Sequence, residues 1–188
     1  MEALLPAFIA ALLGEWGDKT QLLVIALAAR YGKPGQLLLG VALAALAGGL
    51  LASFAGTLIN GTATLRAISL LVAVALLFAG VAAFIRAKTP DYAATLKGPA
   101  AAAAALGFFL AEFGDRTQFI TFAVAARYDS LLLPALGATL GIVAASVPAV
   151  VLGPELAKLL PVKAIRYAGG GLFLLVGLVV GLNALRLV

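Results

Sequence analysis

The stretch Leu12-Leu13-Gly14-Glu15-Trp16-Gly17-Asp18-Lys19-Thr20-Gln21-Leu22-Leu23 sits in the middle of a long apolar run, residues 3–29. A helix crossing the hydrocarbon layer needs about 20 mainly apolar residues, and this run is long enough. Glu15 lies roughly 22 Å of helix from Arg30, which is bilayer depth rather than headgroup level. An ionised side chain at that depth costs several kcal/mol, so such residues are rare and line interior cavities that serve ions, protons or substrate.

Outward from this stretch the chain stays apolar. Of its 188 residues 64% are hydrophobic and 11% charged, against roughly a quarter charged in a soluble domain. Six stretches are long enough to span: 3–29, 36–59, 64–86, 99–126, 131–153 and 163–185. The connections between them carry turn signals, namely Tyr31-Gly32-Lys33-Pro34-Gly35, Asn60-Gly61-Thr62, Lys88-Thr89-Pro90-Asp91 and Gly153-Pro154. The expected fold is therefore all-α and membrane-embedded, with no room for a soluble domain. The first residues lack a basic region ahead of the apolar run, so the first stretch reads as a retained span and not a cleaved signal peptide.

A shift of 97 positions, which carries Glu15 onto Glu112, lays one half of the chain on the other without a gap. Gly17 meets Gly114, Asp18 meets Asp115, Lys19 meets Arg116, Thr20 meets Thr117 and Gln21 meets Gln118. Ala28-Ala29-Arg30-Tyr31 meets Ala125-Ala126-Arg127-Tyr128, and Gly40, Gly56 and Gly80 meet Gly137, Gly153 and Gly177. The repeats are residues 1–93 and 94–188, with three spans in each. An odd number of spans makes the second repeat enter the membrane from the opposite face, the inverted arrangement of many secondary transporters.

The net charge of +5 is not gathered into the basic face a nucleic-acid binder shows, so nucleic acid is excluded as a partner and membrane lipid expected. The 1–2, 3–4 and 5–6 connections hold Arg30, Lys33, Arg86, Lys88, Lys97, Lys158, Lys163 and Arg166, and the other side only Arg66, Arg127 and Arg186. This bias places the first set in the cytoplasm and both termini outside. Arg30-Tyr31 and Arg127-Tyr128 read as interface anchors.

Inverted packing brings the two acidic motifs together near the midplane. Within each, the Glu and Asp are three apart and so share a helical face, with Thr and Gln oxygens on the next turn. The expected metal ligands are Glu15, Asp18, Glu112 and Asp115, with Gln21, Gln118, Thr20 and Thr117 as candidate further ligands and Lys19 and Arg116 balancing charge. Carboxylate, amide and hydroxyl oxygens suit hard cations such as Ca²⁺, Mg²⁺ and Mn²⁺. With no Cys or His, and Met1 the sole methionine, sulfur and imidazole sites are excluded. Four acids and two bases leave −2, which one divalent ion neutralises; when it leaves, protons can take its place. The bland reading of Glu15/Lys19 and Glu112/Arg116 is an i,i+4 structural pair. Gly17 and Gly114 offer close backbone approach or a bend.

The two copies, EWGDKT and EFGDRT, are similar to the E-x-G-D-[KR]-[TS] mark of the Gdt1 family of membrane proteins. The resemblance covers essentially the whole chain. It implies six helices in two inverted triplets and transport of Mn²⁺ and/or Ca²⁺ as substrate in exchange for protons, with no cofactor and no enzymatic activity. Bacterial relatives are associated with manganese export, and the short linker points to a prokaryotic plasma membrane. Read from residues alone, a small-molecule exporter of the amino-acid type, a membrane hydrolase and a passive cation channel stay open as alternatives.

Overall fold

A computed structural model describes residues 2–187, all of whose regular elements are helical. They are α1 (Leu4–Glu15), α2 (Lys19–Tyr31), α3 (Pro34–Asn60), α4 (Leu65–Ala82), α5 (Ala100–Glu112), α6 (Arg116–Tyr128), α7 (Leu132–Leu152), the one-turn α8 (Leu156–Leu159) and α9 (Val162–Leu185). Short 3₁₀ turns occupy Asp91–Ala94 and Gly153–Glu155.

Four of the expected spans are single helices long and apolar enough to cross a bilayer: α3, α4, α9 and α7 with its continuation through α8. The first and fourth are not continuous helices, which corrects the expectation for 3–29 and 99–126. Each is two helices with a three-residue gap, Trp16–Asp18 in one and Phe113–Asp115 in the other. Gly17 (φ +68°) and Gly114 (φ +72°) are left-handed, a conformation glycine enters at no steric cost. The α2 end is left-handed too, at Gly32, and its counterpart after α6 is Asp129 (φ 46°), one of the few residue types that tolerate the position.

The packing runs between the halves. α1 lies along α7, α3 along α5, α6 and α7, and α4 along α9 and α6, while helices of one half touch each other little. Small residues make these crossings close. Gly40 faces the backbone of Ala101 and Ala105, and its counterpart Gly137 faces that of Leu4, so in neither place is there room for a Cβ. The two crossings exchange under the 97-residue shift. Alanine dominates the interior, while leucine, valine and phenylalanine point outward; Leu5, Leu65, Phe84 and Val151 are more than half exposed. This is the reverse of a soluble domain's pattern and suits a protein solvated by lipid tails.

Candidate metal centre

Both helix breaks are braced by their own glutamines. The Gly17 amide donates to Gln21 Oε1 (2.9 Å) and the Gly114 amide to Gln118 Oε1 (3.1 Å). The other end of each amide reaches the opposite half. Gln21 Nε2 donates to the Ala145 carbonyl (3.4 Å), and Gln118 Nε2 lies against Gly48, the position equivalent to Ala145, where a Cβ would collide with it. A helix interrupted inside lipid must satisfy its freed backbone groups internally, and these side chains do so. With both carbonyl oxygens engaged by backbone, Gln21 and Gln118 serve the loops as arranged here.

The breaks also undo two sequence expectations. Asp18 and Asp115 lie beyond the ends of α1 and α5, so they do not share a helical face with Glu15 and Glu112. Nor do Glu15/Lys19 and Glu112/Arg116 form i,i+4 pairs, because that register needs an unbroken turn. The bases cross over instead: Lys19 Nζ sits 3.3 Å from Asp115 Oδ1, and Arg116 Nη2 3.3 Å from Asp18 Oδ1. Arg116, almost wholly buried, also donates to the Gly14 carbonyl at the end of α1 (2.5 Å), where a helix presents its negative pole.

The glutamates are treated unequally. Glu15 accepts hydrogen bonds from Thr20 Oγ1 (2.5 Å) and from Thr117 Oγ1 of the other motif (2.8 Å). Glu112 is equally buried and neither of its oxygens has a hydrogen-bond partner. The two motifs meet here, with Thr117 on Glu15, Lys19 beside Asp115 and Arg116 beside Asp18. Among the described residues no three acids are grouped so that they could hold a metal ion; each Asp is turned to a base and Glu15 to two hydroxyls. One Oδ of each Asp remains buried without a partner.

A cleft of about 250 Å³ reaches Asp18, Lys19, Asp115 and Arg116 past Ala82, Ile85 and Lys88 at the end of α4. Arg166 stands beside it, a residue the sequence reading assigned only to topology. Its guanidinium donates to the Gly17 carbonyl (3.0 Å) and to those of Ala82 and Ile85, tying α9 to the first break and to the end of α4. Under the repeat its counterpart is Ser69, whose hydroxyl turns back to Leu65 of its own helix (2.9 Å). That mismatch was the available signal: where the halves otherwise keep register, one carries a long cation and the other a small hydroxyl.

Comparison with known proteins places this arrangement. The family model for the divalent cation/proton antiporter GDT1 matches residues 3–91 and 100–187, nearly the whole of each half. The chain belongs to the Gdt1 family. A Vibrio cholerae serotype O1 protein that bears the name "Putative manganese exporter" is 36% identical over 168 residues, covering 88% of this chain and 84% of that one. No solved structure matches the chain significantly. As a Gdt1-family member it is an integral membrane transporter of divalent cations and not an enzyme.

Proposed function

We propose that the chain is a secondary transporter that exports Mn²⁺ and/or Ca²⁺ from the cytoplasm in exchange for protons, holding the ion between Glu15, Asp18, Glu112 and Asp115. Two inverted repeats, residues 1–93 and 94–188, each contribute a broken span, and the membrane is the plasma membrane with both termini outside. The observation that carries the reading is the interlocking of the motifs. Lys19 pairs with Asp115, Arg116 with Asp18, and Thr117 with Glu15, so neither half completes the centre alone.

The chemistry follows from the charge. Four acids and two bases in one poorly solvated region carry −2, which a divalent ion cancels and two protons can equally cancel. An incoming ion draws Asp18 and Asp115 away from their bases and uses the oxygens left without partners. Thr20 and Thr117, now bonded to Glu15, are placed to hold that carboxylate in position. Paired half-helix ends around a midplane ion site are the device by which inverted-repeat transporters satisfy an ion with backbone and side-chain oxygens. The manganese in the name of the Vibrio cholerae relative supports Mn²⁺ as a substrate.

The test is metal flux into proteoliposomes under imposed pH gradients, with Mn²⁺, Ca²⁺ and a basic amino acid as alternative substrates. Saturable Mn²⁺ or Ca²⁺ movement that follows the pH gradient is expected. Glu15→Gln and Glu112→Gln should each lower it by more than the roughly 10–100-fold that outer-shell changes cost metal sites. Wild-type flux in both variants, flux that neither saturates nor responds to pH, or amino-acid transport in place of metal would overturn the proposal.

A further inference from the structure

The 97-residue shift lays Arg30-Tyr31, at the end of α2, onto Arg127-Tyr128 at the end of α6. In the first half the pair is engaged by the linker between the halves. Arg30 donates to the Ala94 carbonyl (3.1 Å) and the Tyr31 hydroxyl to that of Leu96 (3.4 Å). The linker's side chains fill an apolar groove between α2 and α5. Leu96 packs onto Gly107 so closely that a Cβ there would have to displace its methyl end, the Tyr92 hydroxyl donates to the Gly107 carbonyl (3.0 Å), and Leu96 and Ala93 are buried with Leu23 and Leu27. An apolar plug is thus held at its polar end by an arginine and a tyrosine gripping oxygens.

The second half has the matching groove, and no side chain among the described residues fills it. Ala10 stands for Gly107, Ile120 for Leu23 and Val124 for Leu27, and these residues line a cavity of about 360 Å³ between α1, α4, α6 and α9. Arg127 and Tyr128 line it as well, and neither makes a hydrogen bond like those of Arg30 and Tyr31 among the described residues. Ser69, the other polar group in the wall, is satisfied by Leu65 of its own helix. The cavity opens past Ile9 and Val176, both more than two-fifths exposed on the outward, apolar surface. A wall this apolar does not hold water well.

We propose that this groove binds one anionic diacyl phospholipid, an acyl chain lying along Ala10, Ile120 and Val124 and the phosphate on Arg127 and Tyr128. The linker in the other half shows what the shape accepts, an apolar body ending in oxygens. The guanidinium matches phosphate geometry with paired donors, which favours a phospholipid over diacylglycerol, and it favours an anionic headgroup over phosphatidylcholine, whose choline cation it repels. The site is separate from the metal centre and does not depend on which ion is carried.

Native mass spectrometry of the detergent-solubilised protein, titrated with phosphatidylglycerol, tests it. One saturable lipid adduct is expected on the wild type. Arg127→Gln, an exposed change that leaves the packing alone, should weaken it about fivefold, the worth of one basic residue against an anionic lipid surface. Ala10→Phe, which fills the groove, should remove it, while Arg186→Gln leaves it unchanged. Phosphatidylcholine and diacylglycerol with the same chains should bind more weakly. Equal retention by wild type and Arg127→Gln, diacylglycerol binding as tight as phosphatidylglycerol, or a dimer of the chain appearing where the lipid adduct should be would overturn the proposal.

Discussion

At the residue scale the two motif glycines do the same conformational job in different surroundings. Both are left-handed, so replacing either with alanine introduces a strain of about 1–2 kcal/mol. Around Gly114 the space for a Cβ is open, whereas at Gly17 a Cβ would press on Arg166 and Val162. Gly114→Ala should therefore cost only the backbone term, while Gly17→Ala should cost more and loosen the Arg166 contact. Thermal melts of the purified variants check this, and equal melting temperatures would contradict it. The spacing of Gly17 and Gly114 between acids was plain in the sequence, but the difference between them was not, because it depends on a side chain 149 residues away.

At the scale of elements, the decisive event is that two apolar stretches stop being helices in the middle. Hydropathy reads only transfer into lipid, and the apolar α1 and α5 run through one polar turn into the mainly apolar middles of α2 and α6, so the pattern resembled one long helix. What stops the helix is local: a glycine followed by Asp, with a Gln four residues on that supplies the lost backbone partner. Arg166 then joins three elements at one point through the ends of α4, α9 and the first break. Removing a charged donor from carbonyls costs about 1.5–3 kcal/mol per bond. Arg166→Ala is expected to destabilise the protein by about 2 kcal/mol or more, and Arg166→Lys, which can serve only part of that fan, by less. Denaturation in detergent distinguishes the two; no difference between Ala and Lys would show that the guanidinium is not the link.

For the whole molecule, the halves are interlocked rather than adjacent. The principal partner of every long helix belongs to the other half, and the closest crossings, at Gly40 and Gly137, are between halves as well. A half expressed alone would leave its small-residue faces without partners. Residues 1–93 and 94–188 produced separately should fail to give a monodisperse, melting species, and produced together they should recover one. Size-exclusion chromatography with thermal melts measures this, and a folded single half would refute it. The centre depends on the same interlocking, since each Asp is paired with the base of the opposite motif.

The membrane environment, the helical class, the duplication and the acids at its centre were determined by the sequence itself. Each rests on composition or spacing along one chain, and the cost of charge in lipid makes such residues conspicuous. Tertiary structure alone decided which base faces which acid, that Glu15 is bonded while Glu112 is not, that Arg166 reaches the first motif, and that the linker fills one groove while no described residue fills its twin. Those are distances between segments about a hundred residues apart. The two motifs carry matching local signals, so the different partners of their matching residues are settled by packing across the halves.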